Sequence, residues 1–113
     1  MNCLFCKIIK GEIAAKLQYQ DDKVIAFEDI NPQAPAHTLI VPRLHVPTLN
    51  DLSADTLPLI GHMAQTAANL AKLFGIDESG YRVVMNCNSG AGQSVFHIHM
   101  HLLGGRIMTW PPG

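Results

Sequence analysis

His97-Ile98-His99-Met100-His101-Leu102-Leu103 decides the reading of this chain. Three histidines alternate with apolar residues, and Phe96 precedes them. Side chains on a strand alternate between faces. The run therefore predicts a strand from Phe96 to Leu103, with His97, His99 and His101 on one face and Phe96, Ile98, Met100 and Leu102 on the other. Packing does not explain a strand whose polar face is all imidazole. Near-neutral imidazoles serve as acids, bases, nucleophiles or metal ligands. Same-face neighbours lie about 6.6 Å apart, which separates His97 from His101 by about 13 Å. Two of the three could share one metal, whereas all three would need a bulge or a bend. A row of imidazoles with divided labour is the stronger reading.

Immediately before this run stands Ser89-Gly90-Ala91-Gly92-Gln93-Ser94. Gly90, Gly92 and the small Ala91 and Ser94 would let backbone N–H groups approach a ligand, as in loops that bind phosphate oxygens. Two glycines alone mark a turn. Beside three histidines they read as an anion site next to a nucleophile. After the run, Gly104-Gly105 ends the strand and residues 104–113 form an extended tail.

Further out, residues 3–10 suit a short helix that stops at Gly11. Leu17 to Gln20 and Val24 to Glu28 flank Asp21-Asp22 as a hairpin. Asn31-Pro32-Gln33-Ala34-Pro35-Ala36 is a loop, since its prolines cannot continue a ladder. His37 to Pro42 and Tyr81 to Asn86 read as strands. One long helix runs to Phe74, and Pro58 favours a start at Thr56 over Ser53. Its expected core face is Leu59, Ile60, Met63, Ala67, Leu70, Leu73 and Phe74. The whole is an α+β fold: a five-stranded antiparallel sheet with one long and one short helix, the helices on one face. Residues 1–113 form a single domain, with a CxxC helix at 1–11.

Composition narrows the partners. Charged residues make up 15% of the 113 and apolar residues 48%, where soluble domains average about 25% charged. A surface so poor in charge, around a sheet with only one long helix, points to a homodimer. The formal net charge is −1 without a basic run, which argues against a nucleic-acid polymer but leaves room for a small anion. Cys3, Cys6 and Cys87 are an odd set, and the first ten residues lack a signal-peptide pattern, so a cytoplasmic protein without a disulfide framework is expected. Residues 57–74 carry His62, Gln65, Thr66, Asn69 and Lys72 and are not expected to span a membrane.

Cys3-x-x-Cys6 supports either redox chemistry or half a zinc site. Nothing strand-like precedes Cys3, as a redox motif usually requires. A second ligand pair would come from histidines, and Cys₂His₂ suits zinc.

Taken together, Phe27-Glu28-Asp29-Ile30, Pro32-Gln33-Ala34-Pro35-Ala36-His37, Pro42-Arg43-Leu44-His45, Gly92 through Arg106 and Trp110-Pro111-Pro112-Gly113 resemble the histidine triad (HIT) superfamily. They resemble in particular its Hint branch of nucleotide-binding proteins, over nearly the whole chain. The resemblance implies a phosphoramidase that cleaves purine nucleoside 5′-phosphoramidates through a covalent nucleotidyl-histidine, with no metal in the chemistry. By that likeness His99 attacks phosphorus, His101 and Gln93 hold phosphate oxygens, and Ser94 contacts the leaving nitrogen. Asn86 and Gly92 complete the phosphate and ribose side, Asp29 binds the ribose, and Phe27 and Ile30 lie against the base. The likeness also implies zinc held by Cys3, Cys6, His45 and His97, which makes His97 structural. It implies a sheet continued across a homodimer, lined by the strand at 81–86 and the long helix, with Trp110 near the partner's leaving-group pocket. Dinucleoside polyphosphate hydrolysis, a metallohydrolase using two triad histidines, and nucleotide binding without turnover are the alternatives.

Overall fold

The alternating run ends in a central strand. In the computed structural model, which describes residues 2–113, β5 is Met100–Gly104. It lies between β3 (Ala36–Pro42) and β4 (Tyr81–Val84), antiparallel to both. The hairpin β1 (Leu17–Gln20) and β2 (Val24–Glu28) completes a five-stranded sheet of order β1-β2-β3-β5-β4. Asp21 closes that hairpin, because one carboxylate oxygen accepts the N–H groups of Lys23 and Val24, both at 2.8 Å. Its other oxygen accepts from the Tyr19 hydroxyl and lies 2.8 Å from His62 Nε2, which ties the turn to the long helix.

The sheet has a helix on each face, not both on one. Helix α2 (Pro58–Leu73) covers Val24, Ala26, Ile40, Met100 and Leu102 with Met63, Ala67, Leu70 and Ala71. Helix α1 (Leu4–Ile9) packs Phe5 on the opposite face, against Ile25, Phe27, Leu39 and Val41. Strands β2 and β3 are therefore buried on both sides, which accounts for their near-continuous apolar runs. Within α2 the buried set is Met63, Thr66, Ala67, Leu70 and Ala71, at helical spacing i, i+3, i+4, i+7 and i+8. Leu73, expected in the core, is 73% exposed. Pro58 opens the helix at its first turn, two residues later than Thr56, where its missing N–H has no helical partner to lose. Gly11 and Gly75 follow the two helices at φ +78° and +72°, the left-handed exits that glycine permits.

Two strands are shorter than expected. β4 stops at Val84, so Asn86 lies outside it. β5 begins at Met100, because Ile40 is the last β3 partner and the Ile98 N–H donates instead to the Val46 carbonyl at 2.7 Å. His97 and His99 thus stand on the bent approach to the strand. Alternation survives there, since Ile98 joins the α2 core with Met100 and Leu102. Phe96 does not join it and is 46% exposed. Short 3-10 turns at Leu49–Asp51 and Ser89–Ala91 complete the elements.

Candidate active site

His97 lies at the junction of α1 and the sheet and is fully buried. Its Nε2 stands 2.7 Å from the Pro42 carbonyl oxygen. A carbonyl only accepts, so the Nε2–H donates and Nδ1 keeps its lone pair. That Nδ1 lies 3.4 Å from Cys3 Sγ, 3.6 Å from Cys6 Sγ and 3.1 Å from His45 Nδ1. Cys6 Sγ is 3.4 Å from His45 Nδ1. A tetrahedral zinc ion separates sulfur from nitrogen by about 3.6 Å and two nitrogens by about 3.3 Å. The four donors converge at the spacing such an ion needs, and Pro42 supplies the outer hydrogen bond that orients a ligand histidine.

His97 also serves the next histidine. The carbonyl of His97 accepts from His99 Nδ1 at 2.8 Å, which puts the His99 proton on Nδ1 and the lone pair on Nε2. Burial pushes the His99 pKa down, so the ring is neutral. Phe5 stands edge-on to it, with ring centroids 5.0 Å apart. A buried neutral imidazole with a fixed tautomer has what a nucleophile requires.

His101 takes the opposite tautomer. The Gln33 backbone N–H lies 3.0 Å from His37 Nδ1, and an amide can only donate. His37 therefore carries its proton on Nε2, which stands 2.9 Å from His101 Nδ1. That bond leaves His101 with its proton on Nε2, ready to donate. Burial first, then the neighbouring His99 and His37, pushes the His101 pKa down to about 4. Asp29 lies 3.4 Å from His37 Nε2 and accepts the Asn31 N–H at 2.8 Å.

These groups open on a cavity of about 410 Å³ between α1 and the sheet. Phe27, Asp29, Ile30, Ser94, His99 and His101 all line it, with Ile30 fully exposed at its rim. Leu4, Phe5, Ile8 and Leu39 make an apolar wall. Asn86, Gly92 and Gln93 do not line it. Gln93 is buried and uses both amide hydrogens on the carbonyls of Pro47 and Val95, at 2.8 and 3.1 Å, while its oxygen accepts the Asn88 N–H. The expected cradle of loop amides is also occupied by the loop itself. The N–H groups of Ala91 and Gln93 donate to the Asn88 carbonyl, and that of Gly92 to Ser89.

Two residues without a role in the sequence reading belong to the site, His37 and Phe5. Period two along β3 puts His37 on the face of Leu39, and Leu39 stands opposite His101 in register. That signal was available. The contact of Phe5 comes from the docking of α1, which local pattern does not encode.

A buried neutral imidazole with a free Nε2 lone pair, a second imidazole with its proton on Nε2 and an apolar wall thus share one cavity between α1 and the sheet. The chain belongs to the HIT domain family, whose model matches residues 10–108. It is 54% identical over 103 residues to the purine nucleoside phosphoramidase of Escherichia coli K12, an alignment covering 91% of this chain and 87% of that protein. A HIT family hydrolase from Legionella pneumophila superposes with a TM-score of 0.97 at 54% identity, covering 99% of this chain and all of that one. A histidine triad protein from Clostridium difficile superposes at 0.93 with 42% identity, covering 96% and 95% of the two chains.

Proposed function

We propose that this protein hydrolyses purine nucleoside 5′-phosphoramidates through a nucleotidyl-histidine intermediate. The observation that carries the reading is the pair of opposite tautomers in one cavity: a His99 Nε2 lone pair beside a His101 Nε2–H donor. His99 Nε2 forms a bond to the α-phosphorus as the P–N bond breaks, and the amine departs with a proton taken up from solvent. Water then attacks the same phosphorus, breaks the P–Nε2 bond, gives one proton back to solvent, releases the nucleoside monophosphate and returns His99 to its neutral form. His101 holds a phosphoryl oxygen that gains charge on the way. Ser94 faces the leaving nitrogen, Asp29 the ribose hydroxyls, and Phe27 and Ile30 the base. Gln93 and Gly92 act by shaping the loop, and Asn86 flanks it. Likeness to the phosphoramidase of E. coli supports the substrate class.

Every step uses groups of this chain. Zinc, held by Cys3, Cys6, His45 and His97, would supply a rigid tetrahedral anchor to the segment that carries His99. We further propose that residues 1–113 work as one domain within a homodimer. Supporting this, β4 is an edge strand with Tyr81 and Val83 exposed, and Trp110 is 82% exposed. Among the described residues no helix is long and apolar enough to cross a membrane. Cys3, Cys6 and Cys87 are not joined in a disulfide, which suits a reducing compartment such as the cytoplasm.

A turnover screen tests the reading. Adenosine and guanosine 5′-phosphoramidates should be hydrolysed and dinucleoside polyphosphates should not. Preference for the latter, or AMP binding without turnover of either, would overturn it. Light scattering should report a dimer at micromolar concentration, and a monomer would contradict the assembly.

A further inference from the structure

The proton on His101 depends on Gln33, and Gln33 is held from the far end of the chain. Arg106, two residues beyond β5, donates its Nε–H to the Gln33 carbonyl at 2.9 Å and an Nη1–H to the Ile107 carbonyl at 3.1 Å. Next to it, Gly105 sits at φ +89° against Pro35. A Cβ there would come within 2.9 Å of Pro35 Cβ, so this backbone lies directly on the loop. The loop Asn31–Pro35 has few ties of its own besides the Gln33 Nε2 bond to the Asn31 carbonyl at 3.0 Å and the Asn31 N–H on Asp29. Gly105 and Arg106 press it from outside.

We propose that Arg106 is a positioning residue for His101: it clamps the Asn31–Pro35 loop so that the Gln33 N–H fixes the tautomer of His37, and His37 fixes that of His101. The chemistry follows one bond at a time. With Gln33 in place, His37 Nδ1 can only accept and its Nε2 can only donate. His101 Nδ1 must then accept, and its proton is forced to Nε2, toward the cavity. If Gln33 drifts, His37 exchanges tautomers freely. With its proton on Nδ1, His37 presents a bare Nε2 to His101, which must then turn its own proton inward. The phosphoryl oxygen loses its donor. This inference rests on the phosphoramidase reading for its effect on rate, but not for its effect on the free protein.

The test combines ring ¹⁵N spectra of the zinc-loaded protein with steady-state kinetics on adenosine 5′-phosphoramidate. In the parent protein His37 and His101 should both give the Nε2–H pattern. Arg106→Ala should mix the two tautomers at both rings and lower kcat, by up to about a hundredfold for a misplaced catalytic group, with KM little changed. Arg106→Lys should recover part of both, since one ammonium can reach the Gln33 carbonyl but not hold the fork. Gly105→Ala should reproduce the tautomer mixing with the arginine charge intact, by pushing Pro35 and the loop outward. A merely structural arginine would lower the melting temperature and leave the spectra of the folded variant unchanged, and that result would overturn the proposal. Mixed tautomers in Arg106→Ala, in a protein whose parent shows no phosphoramidate turnover, would support the positioning role and instead sink the proposed activity.

Discussion

Two clusters of potential metal ligands stand at the two ends of the His97–His101 run. Cys3, Cys6, His45 and His97 form one, and Asp29, His37 and His101 form the other. Within each, the ligand atoms lie within 4.8 Å of one another. The difference is where the protons are. His97 donates Nε2–H to Pro42 and turns a lone pair inward to two thiols and a second ring. In the other cluster the Gln33 N–H holds the His37 proton on Nε2, where a cation would have to bind. The first cluster is arranged to take a metal and the second to pass a hydrogen bond. Proximity alone does not separate them; tautomers do.

The largest expected effect comes from the histidine between the clusters. His99→Ala should lower kcat by on the order of 10⁴-fold or more while AMP binding largely survives, since a nucleophile is lost and the pocket walls remain. Calorimetric titration with AMP, run beside the turnover assay, checks both halves. Near-normal turnover would remove His99 from the chemistry.

Next comes metal content. Elemental analysis of protein purified without added metal should give about one zinc per chain, as a closed four-ligand site requires. Cys3→Ser should bring that ratio close to zero and lower the melting temperature, because metal binding to the folded state contributes to folding stability. If the variant kept a full equivalent of zinc, the contrast between the clusters would fail.

Acid should act on the second cluster. The folded pKa of His101 is about 4, below the ordinary value of about 6.5. Between those values the unfolded chain binds more protons than the folded one. Stability supplied by the neutral ring is therefore present above about pH 6.5 and lost as pH falls toward 4. Protonated His101 would also turn a second N–H toward His37 Nε2–H, so kcat should fall only as pH approaches the folded value of about 4. Melting curves and pH–rate profiles check this, and a flat response from pH 6.5 to 4 would contradict it.

The smallest expected effect on folding lies in the tail. Truncation before Met108 removes the Thr109 carbonyl that accepts from Arg82 at 2.9 Å, along with Trp110, which is 82% exposed. Neither belongs to the buried clusters. Melting temperature should change little, whereas the preference among amine leaving groups should change if Trp110 reaches the partner's site.

The limits of sequence reading follow the same division. The hairpin Leu17–Gln20 and Val24–Glu28 matches the structure end to end, because period two and an Asp-bearing turn are local signals. Only the Cys3-x-x-Cys6 half of the zinc-type cluster was legible from spacing, since a CxxC pair does not say which residues complete the site; His45 and His97 followed from the resemblance to the HIT family. Helix α1 on the opposite face from α2 was not legible, as six residues are too few for a moment to choose a side. Strand β5 was overrun at its start because His97 and Ile98 alternate like strand residues but bond to Pro42 and Val46. Gln93 was the hardest case. An amide suits a phosphate or a carbonyl equally, and here tertiary packing supplied Pro47 and Val95.

The central claim is that His99 Nε2 attacks phosphorus. Rapid quenching of the reaction with adenosine 5′-phosphoramidate, followed by peptide mass spectrometry under conditions that preserve the phosphorus–imidazole bond, tests it most directly. One adenylyl group should appear on His99 within the first turnover and decay at the rate of AMP release. Adenylyl on His97 or His101 instead, or steady turnover with no adduct at any histidine, would contradict the account.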